Sequence, residues 1–295
     1  MPQLSRVAVV TGGGSGIGLA TALMLSSRGY RVFVGDIQFP QQVQNHLTNS
    51  GIESIACDVR VVNDLDLLIQ HAVGAAGRLD FLVNNAGIGL VSQIDQVSEE
   101  DWDRVVDTNL KAAFFGCRAA VRVMKLQSSG GSIVNVASNA GLLPRSHDPV
   151  YSISKMALIG LTKSLALCHS VDRIRINAVC PGPVERTRII EENFDGPNDR
   201  DAVTRKMISA SPLARAWGRM ITPEEVAESI CYLCSDAAAM ITGTAVAIDG
   251  GKSLGVPPQQ VDFSESGAAP QQLRTGVVNA GQILSAEESP YDRSA

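Results

Sequence analysis

Short apolar runs alternate with longer mixed stretches along the first 255 positions, and the two periods predict different elements. Arg6 to Val10 reads as a buried strand, followed by glycines and a helix from Leu19 to Ser27 that Gly29 closes. Arg31 to Gly35 is a second strand and Ile52 to Ala56 a third, ending at Cys57 and Asp58. A helix over 63–76 leads to the fourth strand, Leu79 to Val83. Ser98, Glu99, Glu100 and Asp101 have capping-box spacing and start a long helix that runs to about Lys125. Gly131 to Ala137, Arg173 to Val179 and Thr244 to Ile248 complete seven strands, with helices at Val150 to Cys168 and from Pro223 between them. Apolar runs this short, alternating with helices, predict an α/β fold: a doubly wound parallel sheet of Rossmann type, covered on both faces.

Two segments fall outside that rhythm. Glu185 to Arg219 is polar, carries Pro197 and Pro212 and has no continuous period, so it is expected to be a mobile insertion over a site. From Val256 the composition shifts to prolines and glutamines with five acids against two arginines. The expected division is therefore one domain at 1–255 and a C-terminal extension at 256–295. The extension still holds Leu273, Val277, Val278, Ile283 and Leu284, so it is expected to pack on a neighbouring subunit or near a pocket mouth.

Composition narrows the function. Of 295 residues, 45% are hydrophobic and 19% charged, which excludes an intrinsically disordered chain, and a mean hydropathy of +0.09 is far from that of a polytopic membrane protein. A net charge of −5 without a basic stripe argues against a nucleic-acid partner. The first residues show neither a signal-peptide pattern nor a long apolar span, so a cytoplasmic location and no membrane partner are expected. Six cysteines show no disulfide-scaffold density. Cys231 and Cys234, three apart on a helix without matching histidines, read as packing residues, and no metal is expected.

Gly12, Gly16 and Gly18 sit between the first strand and first helix, where glycines let a backbone approach a pyrophosphate and the helix N-terminus faces its charge. Asp36 lies at the end of the second strand, eighteen residues after Gly18, placed to accept from ribose hydroxyls and to repel a 2′-phosphate. Neither Ser15 nor Ile37 supplies a cation to welcome that phosphate, so NAD is expected rather than NADP. Asp58, at the end of the third strand, is placed to touch the adenine, with an ordinary strand-end acid as the alternative.

Tyr151 and Lys155 share a helix face at i, i+4. A tyrosine titrates near 10, so a phenolate at pH 7 asks for about 4 kcal/mol. An ammonium at ~4 Å in an effective dielectric of ~20 supplies about that much. The pair can serve as a general base.

Taken with Asn84-Asn85-Ala86-Gly87, Asn109 and Ser138, these motifs resemble the compact single-domain branch of the short-chain dehydrogenases/reductases, in that family's order, over about residues 5–255. The resemblance implies an NAD-dependent oxidoreductase moving a hydride between nicotinamide and a secondary alcohol or ketone. It implies Tyr151 as the catalytic acid/base, Lys155 lowering its pKa and holding the nicotinamide ribose, Ser138 orienting the substrate oxygen, and Asn109 holding a water that links Lys155 to solvent. For the cofactor it implies Gly12, Ser15, Gly16, Ile17 and Gly18 at the pyrophosphate, and Asp36 on the ribose. Asp58 and Val59 match the adenine edge, Asn85 and Gly87 the neighbouring ribose region, and Pro181, Gly182 and Val184 the carboxamide segment. The family usually places a threonine two positions after that valine; here Arg186 stands there and Thr187 follows. A homotetramer is implied, through helices near 101–126, 150–168 and 224–235. A 3-oxoacyl thioester reductase is the alternative within enzymes, and a non-catalytic NAD-binding protein the alternative outside them.

For the small-molecule substrate, the loop Asn139 to Pro149 and the insertion are expected to line a pocket. His147 reads as a solvated loop histidine, with a substrate contact as the alternative; Phe194 and Trp217 read as caps over an apolar substrate or anchors of the insertion.

Overall fold

The computed structural model describes residues 5–143, 145–191 and 200–255. Along β1 (Val7–Thr11), Val7 and Val9 enter one hydrophobic cluster while Ala8 and Val10 enter another. A strand whose alternate side chains are all apolar must be covered on both faces. β1 is accordingly central. With β2 (Arg31–Asp36), β3 (Glu53–Ala56), β4 (Phe81–Asn84), β5 (Gly131–Val136), β6 (Ile174–Pro181) and β7 (Ala245–Ile248) it forms one parallel sheet in the order β3-β2-β1-β4-β5-β6-β7.

Helices fill both faces. α1 (Gly16–Ser27), α2 (Gln41–Asn49) and α10 (Pro223–Cys234) supply Leu25, Leu47 and Ile230 to one cluster. α3 (Val62–Ala76), α5 (Ala112–Met124) and α6 (Pro149–His169) supply Leu65, Met124 and Ala166 to the other. Cys231 and Cys234 are buried in the first cluster as packing residues, and among the described residues no His/Cys/Asp/Glu group is arranged for a metal. Among the described residues no helix is long and apolar enough to cross a membrane.

Three departures from the sequence reading have physical causes. α2 gives a weak signal because its nine residues carry only two apolar side chains, Val43 and Leu47, of which only Leu47 is buried. The long helix begins as expected, with the Ser98 hydroxyl accepting from the Asp101 amide at 3.1 Å. It is not regular, however: α4 (Glu99–Val106) passes into a π-helical turn at Asp107–Lys111 before α5 resumes. The insertion, expected to be irregular, contains three short helices in its described part, α7 (Arg188–Glu191), α8 (Arg200–Ser209) and α9 (Pro212–Trp217). Its two ends are tied by a parallel bridge between Val184 and Ile221. Phe194 and residues 256–295 lie outside the described residues.

β1 and β4 are neighbours, so the crossover after β1 goes one way along the sheet and the crossover after β3 goes the other. Ligand crevices form at the carboxyl ends of strands where the winding reverses. That switch point is where the sequence placed the glycines.

Candidate functional site

A cavity of about 330 Å³ opens at the carboxyl ends of the central strands, lined by the glycine loop on one side and by Pro181, Gly182 and Val184 on the other. Gly12 has φ +67° and Gly16 φ +52°, the left-handed region that favours glycine. Gly18 does not line the cavity; it lies behind the loop, where a Cβ would sit 2.1 Å from the Gly12 carbonyl oxygen. Ser15 makes no capping hydrogen bond and the first turn of α1 holds no acid. Thr222 caps α10 in a full capping box and Ser98 caps α4, so among these α1 is the end left with amide N–H groups for an outside anion. The residues therefore suit a dinucleotide whose pyrophosphate meets that end.

Asp36 reaches the loop directly, its Oδ2 accepting from the Gly14 amide at 2.9 Å. Asp58 and Val59 line the same cavity, beside Arg60, which the sequence reading passed over. Arg60 donates to both Asp58 carboxylate oxygens, from Nη2 at 2.6 Å and from Nε at 3.0 and 3.1 Å, and this holds the Asp58 carboxyl below its usual range. Arg60 stands two residues past the strand-end acid, and that spacing from Asp58 is the sequence signal for it.

Asn85 and Gly87 also line the cavity, in different capacities. The Asn85 amide donates inward to the carbonyls of Thr11 and Gly12 at 2.9 and 3.0 Å, so its side chain braces the glycine loop. Gly87 leaves room for its neighbours: a Cβ there would lie 3.2 Å from both Asn109 Oδ1 and Lys155 Nζ. Asn84, next in line, is buried and donates to Asn135 Oδ1 at 2.8 Å across the sheet, a role in the core.

The four residues assigned to chemistry are all buried, and three parts of the fold hold them. Ser138 follows β5, and its hydroxyl accepts from the Ala140 amide at 3.1 Å. Asn109 sits in the π turn and clamps Ile88, accepting from its amide at 2.9 Å and donating to its carbonyl at 3.0 Å. Tyr151 and Lys155 share the face of α6 that packs on the sheet. Burial pushes the Tyr151 phenol up, while its hydrogen bond with Ser138 pulls the other way. Lys155 is 3% exposed, donates to the Val136 carbonyl at 2.9 Å, and burial lowers it to about 8.

Lys155 Nζ lies 5.8 Å from the centre of the Tyr151 ring. An ammonium this close favours the phenolate over the neutral phenol, against the burial that raises it.

Thr187 reaches the cavity despite its displaced position. Arg186 takes φ +55° and pairs with Glu224 at 2.6 Å, and this kink brings Thr187 back against the glycine loop. Its hydroxyl donates to the Val184 carbonyl at 2.8 Å. Arg188 follows it on the cavity wall. His147 is exposed, its ring within 3.1 Å of the Ser146 hydroxyl, as the solvated reading expects. Trp217 is exposed beneath the Arg219 guanidinium, 4.7 Å from its ring centre, and caps nothing among the described residues.

Comparison with known proteins adds a third line. Residues 12–253 match a family model described as enoyl-(acyl carrier protein) reductase. A cyclohexanol dehydrogenase of Acinetobacter sp. is 36% identical over 83% of this chain and 94% of its own length. A monensin polyketide synthase putative ketoacyl reductase of Streptomyces virginiae is 39% identical over 84% and 97%. The solved aldohexose dehydrogenase of Thermoplasma acidophilum superposes with a TM-score of 0.77 at 31% identity, covering 86% of this chain and 96% of that one.

Proposed function

Because the chain belongs to the short-chain dehydrogenase/reductase family and is an oxidoreductase of alcohols and ketones, we propose that it uses NAD and that Tyr151 carries the proton of the reaction. The observation that carries the cofactor choice is Asp36, whose carboxylate is held at the cavity by the Gly14 amide beside an apolar Ile37. An acid so placed accepts from free ribose hydroxyls and repels a phosphate. Arg60, the nearby cation, is engaged by Asp58.

Gly12, Ser15, Gly16 and Ile17 hold the pyrophosphate in this reading, Asp36 the adenosine ribose, and Pro181, Gly182 and Val184 the carboxamide side. The bound nicotinamide supplies a hydride acceptor or donor. The protein supplies the rest. Ser138 donates a hydrogen bond to the substrate oxygen, and Tyr151 Oη takes the hydroxyl proton as an alcohol is oxidised or returns it as a ketone is reduced. Lys155 stabilises the phenolate, and Asn109 fixes the Ile88 backbone beside it.

Purified protein is expected to oxidise secondary alcohols with NAD at least tenfold better in kcat/KM than with NADP. Tyr151→Phe is expected to abolish turnover while NADH binding stays within about threefold. Strong NADP preference would overturn the cofactor assignment, and undiminished turnover in the phenylalanine variant would overturn the mechanism. A 3-oxoacyl thioester reductase is the second reading, favoured by the similarity to the putative ketoacyl reductase; preference for NADPH and a thioester would establish it.

We also propose a homotetramer. Support comes from apolar side chains exposed on the helices expected to pair: Trp102, Phe114, Ile153, Met156, Leu167 and Tyr232. Light scattering on the eluting protein reads the mass directly.

A further inference from the structure

Two segments that do not line the dinucleotide cavity come together near the catalytic end of the sheet. One is the loop between β5 and α6, carrying Arg145 and Asp148. The other is the single turn Lys252–Leu254 that follows β7. Register places that turn at the catalytic end of the sheet: Pro181 pairs with Ile248, the Gly182 amide donates to the Ile248 carbonyl at 3.0 Å, and a Cβ on Gly182 would touch Asp249. The base of α9 closes over it, with the Ser211 hydroxyl donating to the Asp249 carbonyl at 2.7 Å.

Two acids and two cations meet here, and they are not equivalent. Asp249 is buried, its Oδ1 accepting from the Gly251 amide at 2.9 Å and its Oδ2 from the Ser253 amide at 2.7 Å. Asp148 is buried too, its Oδ1 accepting from the Ser152 hydroxyl and its Oδ2 from Arg145 Nη2, each at 3.0 Å. Both carboxylates are turned inward and both oxygens of each are occupied. Arg145 commits one nitrogen to Asp148 and keeps part of its side chain in solvent. Lys252 is half-buried, and its ammonium has no hydrogen bond or ion pair among the described residues.

A partly desolvated ammonium without a counter-ion is costly, and such a group is ordinarily paired. Burial and the nearby Arg145 charge both push Lys252 down, against a smaller opposite pull from Asp249 and Asp148. The same Arg145 charge acts on the Tyr151 phenol. One guanidinium therefore faces both the general base and the unpartnered lysine. An anionic group approaching here would find two cations, while both carboxylates are already hydrogen-bonded.

Building on the reading above, we propose that the alcohol substrate carries a carboxylate, held by Lys252 with help from Arg145 near Tyr151. Lys252 is then a specificity-determining residue: it selects hydroxy acids over neutral alcohols of the same shape.

The test uses the full chain with NAD and with NADP on two matched pairs, 3-hydroxybutyrate and its methyl ester, and 4-hydroxycyclohexanecarboxylate and its methyl ester. The wild type is expected to prefer the acid of at least one pair by tenfold or more in kcat/KM. Lys252→Met is expected to reduce that acid-to-ester ratio at least tenfold through KM, and Lys252→Arg to bring it back to within about threefold. A variant that is merely less well folded loses acid and ester activity together and leaves the ratio unchanged; an unchanged ratio overturns the proposal. So does a wild-type preference for the esters. Failure to turn over any of the four alcohols with either cofactor, or to reduce the matching ketones, overturns the oxidoreductase reading of this site and the substrate class with it.

Discussion

Replacing Lys155 by Met removes a buried charge while keeping most of the side chain's length, and its effect on stability is expected to depend on pH in a calculable way. The folded pKa is about 8 against an ordinary 10.5, and the cause is burial. Between those values the unfolded chain binds more protons than the folded one, so the lysine's contribution to stability rises with pH. Below pH 8 the folded protein bears the full cost of an ammonium in the interior. From pH 7 to pH 10 the wild type should gain about 2.5 kcal/mol relative to Lys155→Met, from 1.36 kcal/mol per pK unit applied to both titrations. The hydrogen bond to the Val136 carbonyl cancels from this difference, because a neutral amine still donates it. Urea denaturation of both cofactor-free proteins at matched concentration, at pH 7, 8.5 and 10, measures the gap. For a domain this size it corresponds to roughly 5–10 °C in Tm. Stability curves that run parallel across that range would mean the charge is not held in a desolvated site, and the account of how Lys155 acts on Tyr151 would fail with it.

Gly18→Ala should weaken NADH binding at least tenfold or destabilise the protein by about 3 kcal/mol, because its Cβ would lie 2.1 Å from the Gly12 oxygen and 2.4 Å from Asn85 Nδ2; calorimetry and urea titration together read both, and normal values in both would refute the packing argument. Arg175 is half-buried and donates to the carbonyls of Leu233 at 2.7 Å, Ser235 at 3.1 Å and Cys234 at 3.3 Å, closing the end of α10. Arg175→Met should cost about 2–4 kcal/mol while leaving cofactor affinity in the folded protein near normal, and a urea midpoint unchanged from wild type would show those carbonyls are satisfied some other way.

The strands were legible because parallel strands covered on both faces read as unbroken apolar runs, and Val7 to Val10 is such a run. The glycines and Asp36 were legible because strand, turn and helix fix where a strand-end acid falls. What stayed hidden lacked a periodic signal. α2 is polar with one buried leucine, and α7 and α9 are too short for a period to repeat. Side-chain direction was the other blind spot. The sequence assigns Asn85 to the cofactor side and it does line the cavity, but spacing could not show that its amide is spent on the Thr11 and Gly12 carbonyls. Lys252 carries no sequence signal, since a lone lysine after the last strand belongs to no motif, although the turn after a terminal parallel strand leaves the sheet at its ligand-binding end.

The π turn at Asp107–Lys111 has a further meaning when counted in residues. Val105, Asn109 and Ala113 are all buried and four apart. In a regular helix eight residues sweep about 800°, some 80° beyond two full turns, and the wide turn absorbs that excess. Seven residues would come within about 20° of two turns with no irregularity at all. The fold thus has no need of the eighth residue; the site does, since the wide turn is where Asn109 reaches the Ile88 backbone. A chain shortened by one residue there could keep both flanking helices seated on the sheet and lose only the clamp, so this stretch is where architecture and chemistry can be separated by a single codon.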